Sequence, residues 1–434
     1  MNIVLFTPAL KTSAIGRMVS RVASELIKWG HVISVVRSED IHLIAEATHD
    51  FGVIPIAWND DEMVRPLMQD ADFVVYQIGD NYSFHRGCLE WLARKSGVVC
   101  LHDFYVAHLF LGWARDHASG ASQVVERWYG KGAPSAFFSA ASTADFIRDT
   151  HQSMPMTEWV CSMATGVITH SSWGISRVKE GCAGPVQVVP LAYDVGDTLN
   201  QEVGPHNVQC DASIKILTVG HVNPNKRVAS VIGAIKSSQP LRKRCNYQVV
   251  GPIQVHSVNE LAALARNGGV RLRIHGEVDS QALARMFQLA DIVCCLRWPS
   301  LEAASASAIE AMMHGKAVVV TNTGFYSELP DDCVIKVDPM NEVASLRVAL
   351  ERLAFDDDLR QTLGTRARAW STNTFTAHNY ARQLAEMGKM AARSAPVIGA
   401  LRHFASVLES WGGKDIDMDE IVHPLQLFQD SDYS

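Results

Sequence analysis

Several features that would place a protein in a specialised class are missing from this sequence of 434 residues. It has no run of about 18 apolar residues, so we expect no membrane-spanning helix. Residues 1–8 form a strand-like pattern without a basic region or a long apolar stretch, and we expect no signal peptide. The 39 Lys and Arg do not outnumber the 46 Asp and Glu, which argues against a general nucleic-acid-binding protein. We therefore expect a cytoplasmic protein and leave open a peripheral contact at the inner face of a membrane.

Cysteines with a recognisable pairing pattern are missing as well. The nine cysteines are scattered, odd in number and without a C-x-x-C spacing. This pattern is typical of reduced thiols and favours neither a disulfide framework nor a zinc site. The segment 415–420 contains a D-x-D pattern, but no strand-like run surrounds it, and we interpret it as a solvated acidic tail. The sequence thus predicts no metal site.

Strand-like and amphipathic segments alternate along both halves of the chain. In the first half, the predicted strands are Ile3–Phe6, His31–Val36, Gly52–Ile56, Phe73–Ile78, Val98–Leu101, Val167–Thr169 and Val186–Val189. In the second half, they are Ile214–Val219, Tyr247–Gly251, Val270–Gly276, Ile292–Leu296, Ala317–Thr321 and Val334–Val337. Such alternation predicts an α/β protein with two doubly wound parallel sheets, because each crossover helix covers one face of its sheet.

The length of the chain and a polar stretch near its middle predict two domains. We predict an N-terminal domain at 1–195, a linker at 196–212 and a C-terminal domain at 213–372. A helix at 373–395 and an appendage of unassigned role at 396–434 would follow. Ligands of doubly wound sheets bind beyond the carboxyl ends of the strands, so we expect a cleft there.

Two glutamates with seven residues between them, Glu302 and Glu310, are the strongest functional signal. Glu310 opens an apolar, alanine-rich run that predicts a helix, with Glu302 in the preceding loop and Glu310 in the first helical turn. Carboxylates accept hydrogen bonds from hydroxyls, and a helix N-terminus attracts anions. The pattern therefore suits a ligand that carries both hydroxyls and phosphate.

Other candidates follow predicted strands. The loop after the first strand of the second half contains Gly220, which allows a tight turn, and Lys226, whose ammonium would suit a diphosphate. In the first half, His102 and Asp103 directly follow a strand, and His85 follows the strand before it. We expect these side chains at the edge of a cleft.

These segments resemble the retaining GT-B glycosyltransferases of the family 4-like group, also called group 1, which include bacterial polysaccharide and lipopolysaccharide enzymes. The resemblance is strongest from Ile214 to Pro339 and implies two Rossmann-like domains facing a central cleft. The chain departs from the family pattern in three loops. His221 stands where the family has Arg, Arg227 and Ser305 stand where it has Gly, and the glycine-rich loop after the first strand retains only Gly16.

The resemblance implies a role for each candidate residue. His102, Glu302 and Lys226 would be catalytic, and His85 and Asp103 would contact the acceptor. Glu302 would bind hydroxyls of the donor sugar, and Glu310 would bind the nucleotide ribose. The implied donor-binding set is Gly16, Gly220, His221, Lys226, Arg227, Val278, Glu302, Ala304, Ser305, Ala306 and Glu310.

The implied function is retaining transfer of a hexosyl unit from a UDP- or GDP-linked sugar to a carbohydrate or lipid-linked acceptor, without a cofactor. Surface polysaccharide or glycoconjugate synthesis is the expected setting. Two alternatives remain open. A nucleotide-sugar epimerase or hydrolase on the same fold would consume the donor without an acceptor. A non-catalytic GT-B scaffold that serves as a partner subunit would bind nucleotide without turnover.

Overall fold

The computed structural model describes residues 1–193 and 213–410. The predicted linker and the acidic segment 415–420 lie outside the described residues. The strands are β1 Asn2–Thr7, β2 Val32–Arg37, β3 Ile56–Ala57, β4 Phe73–Ile78, β5 Val98–Leu101, β6 Gly166–Thr169, β7 Val186–Val188, β8 Ile214–Val219, β9 Cys245–Val250, β10 Leu272–Ile274, β11 Ile292–Cys295, β12 Ala317–Thr321 and β13 Val334–Val337.

The α-helices that accompany these strands are α1 Ala14–Lys28, α2 Asp61–Asp70, α3 Tyr82–Arg94, α4 Ala107–Asp116, α5 Ala118–Tyr129, α6 Ala133–Phe138, α7 Thr143–Thr150, α8 Thr157–Ser162, α9 Ile175–Gly181, α10 Val228–Lys236, α11 Gln239–Arg244, α12 Val255–Gly268, α13 Ser280–Leu289, α14 Ala306–Met313, α15 Gly324–Ser327, α16 Glu342–Phe355, α17 Asp357–Thr374 and α18 Ala377–Ser410. Short 3₁₀ helices lie at Ile41–Leu43, Pro224–Lys226 and Pro339–Asn341.

The chain divides into two compact units. Among the described residues, unit 1 comprises Met1–Ala192, the short segment Leu301–Ala303 and residues 377–410. Unit 2 comprises Tyr193, residues 213–300 and Ala304–Thr376. The two predicted site glutamates are consequently assigned to different units, Glu302 to unit 1 and Glu310 to unit 2.

Unit 1 is built on a parallel sheet of seven strands in the order β3-β2-β1-β4-β5-β6-β7. Strands β4, β5 and β6 are buried along their whole length. Near-continuous apolar sequence of this kind is typical of a parallel strand covered by helices on both faces. The strand order reverses between β1 and β4, and this reversal defines the switch point at which doubly wound sheets bind ligands.

Unit 2 repeats the arrangement with six parallel strands in the order β10-β9-β8-β11-β12-β13. Its switch point lies between β8 and β11, which pair through Ile216 with Ile292 and Leu217 with Val293. The apolar core of this unit joins the sheet to α10 and α16, with Ile232, Leu346 and Leu350 buried between them. The predicted α/β class with two doubly wound sheets is confirmed.

Three predicted boundaries are wrong. The predicted strand Gly52–Ile56 is reduced to Ile56–Ala57. The helix predicted to begin at 373 begins at Ala377, because residues 373 and 374 still belong to α17. The appendage predicted from residue 396 begins inside α18, which continues through Pro396.

Tertiary contacts explain why α18 continues beyond a proline that would disfavour an isolated helix. Met387, Ala391 and Ile398 are buried on unit 1. Further along the helix, Arg402 donates hydrogen bonds to the carbonyls of Ser162 and Ala164, at 2.7 and 2.9 Å. Within the described part of the chain, α18 included, no helix combines the length and the apolar character needed to cross a bilayer.

Candidate functional site

Two loops of unit 2 meet at its switch point, beyond the carboxyl ends of the neighbouring strands β8 and β11. Backbone N–H of Trp298 donates to the carbonyl of Asn225 at 3.2 Å, and Asn225 Nδ2 donates to the carbonyl of Pro299 at 2.5 Å. The loop that contains Lys226 and the loop that leads to α14 are thereby joined. This edge is where ligands of doubly wound sheets bind.

Lys226 is held at the end of β8 by a turn that only glycine permits. Gly220 has a φ of +108°, and a Cβ at this position would lie 2.4 Å from Lys226 Nζ. The Lys226 side chain is buried, and its Nζ donates to the carbonyl of Val219 at 2.9 Å. His221, by contrast, is exposed. The turn therefore places a buried ammonium at the carboxyl edge of the sheet.

Arg227, the expected second cation, has an ionic partner of its own. Its Nε lies 2.9 Å and its Nη2 2.8 Å from Oε2 of Glu342. The Glu342 carboxylate is buried at the start of α16 and needs this cation, because an unpaired buried charge is costly. Arg227 therefore contributes less net charge to a ligand than the sequence suggests.

The helix that follows the second loop, α14, begins earlier than predicted. Ser305 is its N-cap, with Oγ accepting from Ala308 N at 3.4 Å, and the helix starts at Ala306. Glu310 consequently lies in the second turn, and the prediction of the first turn is wrong. Ala304, Ser305 and Ala306 surround the helix N-terminus, where backbone N–H groups have no partner within the helix.

Glu310 has a partner that the sequence did not indicate. The hydroxyl of Tyr193 donates to Glu310 Oε2 at 2.7 Å. Tyr193 is itself fixed by its backbone N–H, which donates to the carbonyl of Phe375 at 3.1 Å. A carboxylate offers about four acceptor positions, so Glu310 can accept from Tyr193 and from ligand hydroxyls together. No local pattern links positions 193 and 310.

Two further residues lie after strands of the same sheet. Val278, the expected base-reading position, is half-buried in the turn between β10 and α13. Arg297 is buried directly after β11, and its Nη1 donates to the carbonyl of Leu296 at 2.7 Å. Arg297 was not predicted as a site residue, although an arginine directly after an apolar strand is a recognisable signal.

In unit 1, His102 belongs to a buried chain of hydrogen bonds. Its Nε2 lies 2.7 Å from the amide oxygen of Gln77, and its Nδ1 lies 3.2 Å from His170 Nε2. His170 Nδ1 in turn lies 3.0 Å from the carbonyl of Val189. Burial lowers the pKa of His102 well below its ordinary value and that of His170 to about 4. Both imidazoles are therefore neutral at pH 7.

The backbone carbonyl at the end of this chain fixes where the protons lie. A carbonyl only accepts, so His170 Nδ1 carries hydrogen and its Nε2 accepts from His102 Nδ1. His102 Nε2 is then an acceptor, which requires the Gln77 amide to turn its NH₂ group toward it. Both ring nitrogens of His102 are engaged. The geometry therefore suits a positioning or electrostatic group better than a proton acceptor.

His85 and Asp103 lie beside this chain. His85 Nδ1 donates to the carbonyl of Gln77 at 2.8 Å, and burial lowers the pKa of His85 to about 4. Asp103 Oδ2 accepts from the backbone N–H of Asp80 at 2.9 Å. Burial, together with the neighbouring charge of Asp80, raises the pKa of Asp103 to about 7. The Asp103 carboxyl is thus partly protonated near neutral pH.

Asp80 and His108 extend the polar cluster, and neither was predicted as a site residue. Asp80 Oδ2 lies 2.6 Å from His108 Nδ1, and Asp80 Oδ1 accepts from Leu109 N at 2.9 Å. Burial raises the pKa of Asp80. The other ring nitrogen of His108, Nε2, is buried without a hydrogen-bond partner. Asp80 therefore links the strand ends to α4.

Glu302 is brought to the same cluster by the short segment that belongs to unit 1. Asp103 and Glu302 form an antiparallel bridge. On either side, Ala303 N donates to the carbonyl of His102 at 3.0 Å, and Phe104 N donates to that of Leu301 at 2.9 Å. His102, Asp103 and Glu302 are thus neighbours although about 200 positions separate them in the sequence.

In the loop after β1, which resembles a glycine-rich phosphate loop, backbone N–H groups donate to a carboxylate of the protein itself. Ser13 is the N-cap of α1, with Oγ accepting from Gly16 N at 3.0 Å. The buried carboxylate of Glu39 accepts from the N–H groups of Ala9 and Leu10, at 2.6 and 2.8 Å. A Cβ on Gly16 would lie 2.3 Å from the carbonyl of Pro8, which explains the single remaining glycine. Glu39 was not predicted.

Groups of three or more His, Cys, Asp or Glu that could hold a metal ion are absent from residues 1–193 and 213–410. The eight cysteines in these ranges are free and buried.

Two Rossmann-like units, each with its switch point at the carboxyl ends of the strands, define the GT-B class. The structure is similar to sucrose-phosphate synthase from Thermosynechococcus elongatus, at 15% identity and a TM-score of 0.60, over 89% of this chain and 98% of that chain. It is also similar to a glycosyltransferase from Rickettsia africae, at 15% identity and 0.59, over 90% and 98%. HepE from Anabaena, solved with UDP and glucose, is similar at 15% identity and a TM-score of 0.56, over 89% of this chain and 98% of that chain.

At this identity, the likeness to solved structures establishes the fold, and the predicted GT-B class is confirmed. Residues 207–370 match the family described as glycosyl transferases group 1. No curated protein matches the sequence.

Proposed function

We propose that the protein is a retaining, metal-independent hexosyltransferase that uses a UDP- or GDP-linked sugar. The acceptor would be the hydroxyl of a carbohydrate or of a lipid-linked intermediate in surface polysaccharide or glycoconjugate synthesis. The observation that carries the proposal is the paired loops of unit 2. They set the Lys226 ammonium at the end of β8 and the Glu310 carboxylate in the helix after the adjacent strand β11.

The chemistry of these groups suits a nucleotide diphosphate donor. Negative charge develops on the diphosphate as the sugar bond breaks, and a fixed cation with helix N–H groups stabilises that charge. Lys226 and the start of α14 supply both. Glu310, oriented by Tyr193, would accept from the ribose hydroxyls. HepE, a protein of the same fold, was solved with UDP and glucose, which supports a UDP-linked donor.

Unit 1 would supply the groups that position sugar and acceptor. Glu302 would accept hydrogen bonds from hydroxyls of the transferred sugar, and Asp103 and His85 would face the acceptor. His102 would act as a neutral positioning group, because both of its ring nitrogens are engaged. As the bond between the anomeric carbon and the diphosphate oxygen breaks, the acceptor oxygen would bond to that carbon on the same face, and the departing diphosphate oxygen would take the proton of the acceptor hydroxyl. Attack on this face would leave the anomeric configuration unchanged without a protein nucleophile.

The first test is a thermal-shift screen with UDP, GDP, ADP and their sugar conjugates, followed by turnover assays with the ligand that binds. A ligand that binds the native state raises the melting temperature by mass action. We expect one nucleotide to raise it in the wild type and in Glu260→Ala, an exposed surface control, but not in Glu310→Ala.

Each outcome separates the alternatives left open by the sequence. Donor consumption that needs an acceptor supports the transferase. Consumption without an acceptor supports an epimerase or hydrolase, and nucleotide binding without any turnover supports a scaffold. A nucleotide shift that survives in Glu310→Ala would contradict the assigned donor site.

A further inference from the structure

A cavity lies in unit 2 at the edge of the sheet opposite to Lys226 and α14. Its volume is about 510 Å³, and it is lined by Ser213, Gln239, Pro240, Lys243, Arg244, Arg271 and Phe355. Ser213, Arg244 and Arg271 directly precede β8, β9 and β10. These strands are parallel, so the cavity opens at the amino ends of the strands. Lys226 and α14, in contrast, lie at the carboxyl ends.

The cavity is strongly cationic. Three of its lining side chains carry positive charge, and in residues 1–193 and 213–410 none of the three forms an ion pair with a carboxylate. The acidic residues that follow Phe355 are engaged elsewhere: Asp356 caps α17 by accepting from Leu359 N, and Asp357 pairs with Arg360 at 2.7 Å. Concentrated charge of one sign in a concave site attracts counter-ions.

The two arginines of the cavity are also held in place before any ligand arrives. Arg271 donates from Nη2 to the carbonyl of Lys243 at 2.7 Å and from Nε to that of Cys245 at 3.2 Å. The Arg244 guanidinium lies 5.0 Å from the ring centroid of Phe355. Such fixed geometry lowers the entropy that a ligand would have to overcome.

One lining atom lacks the partner that buried polar atoms normally have. Arg244 Nε is buried without a hydrogen-bond acceptor in the described structure. Favourable contact between basic residues and the C-terminus of α11 explains the donation by Arg271 to helix carbonyls. This helix effect does not explain why the N–H of Arg244 Nε has no acceptor. An anion bound to the Arg244 guanidinium would supply one.

We propose that this cavity binds a phosphate-class anion at a site separate from the nucleotide-sugar site. Guanidinium groups match the geometry of phosphate oxygens, and Lys243 adds an exposed ammonium. Ser213 accepts from Asn246 at 2.7 Å and retains its own hydroxyl hydrogen for an anion. Phe355 forms one wall and is about half exposed, which suits an anion attached to a larger group. A soluble phosphate ester and a phospholipid headgroup share this chemistry.

The test compares full-length variants that differ by one charge on the same helix. Lys243→Ala and Arg244→Gln remove cations that line the cavity. Arg242→Ala removes an exposed neighbour that does not line it. Pyrophosphate binding is measured by titration calorimetry, and vesicle binding is measured by co-sedimentation with phosphatidylcholine, with and without phosphatidic acid.

We expect the wild type, Arg242→Ala and Lys226→Ala to bind pyrophosphate, vesicles that contain phosphatidic acid, or both. Lys243→Ala and Arg244→Gln should bind about tenfold more weakly, since charge-assisted hydrogen bonds to phosphate are lost. Pyrophosphate binding with this pattern identifies a soluble ligand, and binding only to acidic vesicles identifies a headgroup. No binding in either arm, or equal losses in Arg242→Ala and Lys243→Ala, would overturn the proposal. Loss in Lys226→Ala alone would assign the anion to the donor site.

Discussion

The polar groups at the two switch points differ in charge. In unit 1, His85, His102 and His170 are neutral because burial lowers each pKa, and the pKa of Asp103 is raised to about 7. In unit 2, the corresponding edge holds the Lys226 ammonium and the Arg227–Glu342 ion pair. The edge of unit 1 therefore presents neutral imidazoles and a partly protonated carboxyl, and the edge of unit 2 presents an ammonium and an ion pair.

This difference in charge matches the ligand that each edge is proposed to bind. Hydroxyls of a sugar or of the acceptor substrate are recognised by matched hydrogen-bond donors and acceptors. A neutral, fully satisfied network costs little free energy when water is excluded. A diphosphate needs positive charge, and a cation held in position before binding does not have to be reorganised. Variants in the two units should consequently affect different kinetic quantities.

The largest effect is expected from Lys226→Ala in unit 2. Loss of the only buried ammonium at the end of β8 in the described chain should reduce kcat by roughly a hundredfold to a thousandfold, as removal of a transition-state donor does elsewhere. Steady-state kinetics with the identified donor measure it, and Lys236→Ala, at the exposed end of α10, is the control. A similar kcat in both variants would remove Lys226 from the mechanism.

A smaller effect on a different quantity is expected from His102→Ala in unit 1. A misplaced positioning group can cost on the order of a hundredfold in rate, so kcat should fall by up to that amount. The dissociation constant of the nucleotide should stay nearly constant, because the hydrogen bonds of His102 lie within unit 1. His42→Ala, with an exposed imidazole, is the control. If His102→Ala lowers kcat and nucleotide affinity to the same extent, the assignment of nucleotide binding to unit 2 alone is contradicted.

Tyr193→Phe should have a still smaller effect. It removes the hydroxyl that orients Glu310, and a hydrogen bond to a charged group is worth enough to weaken nucleotide binding by about threefold to tenfold. Tyr129→Phe removes an equivalent hydroxyl, 2.6 Å from Glu158, in unit 1 and should leave nucleotide binding unchanged. Titration calorimetry distinguishes the two variants. Equal affinities would show that Glu310 does not need this partner.

The parts of the site that could be predicted from the sequence are those marked by a local pattern of consecutive residues. The strand before Gly220 and the strand before His102 are clear apolar runs, so the positions of Lys226 and His102 at strand ends followed from local pattern. The partners could not be predicted in this way. Glu310 meets Tyr193 across 117 positions, and Glu302 meets Asp103 across a bridge between distant segments.

Fold prediction failed in places where tertiary contacts override local preference. Pro396 disfavours a helix locally, yet the packing of α18 on unit 1 continues the helix beyond it. The start of α14 was misplaced because Ser305, the N-cap, was interpreted as a replacement for glycine in the loop. Buried networks such as Gln77–His102–His170 leave no periodic trace, because each member is a single polar residue in an apolar run.

The pH dependence of stability offers the finest test of the neutral edge in unit 1. Burial raises the pKa of Asp103 from 3.8 to about 7, so the folded state holds this proton more tightly than the unfolded state. The stability that it contributes is fully present below about pH 4 and is lost as the pH rises through about 7. Asp103→Asn is always neutral and should therefore lose less stability than the wild type between about pH 5 and pH 8.

Urea unfolding at both pH values measures this difference, with the exposed Asp116→Asn as control. Asp80 and Glu302 contribute to the raised pKa of Asp103, so their charges set the size of the effect but not its sign. If Asp103→Asn and the wild type lose the same stability over this range, Asp103 is already ionised at the lower pH. The edge of unit 1 would then carry one more negative charge at neutral pH, and its contrast with the Lys226 ammonium of unit 2 would be chiefly one of sign.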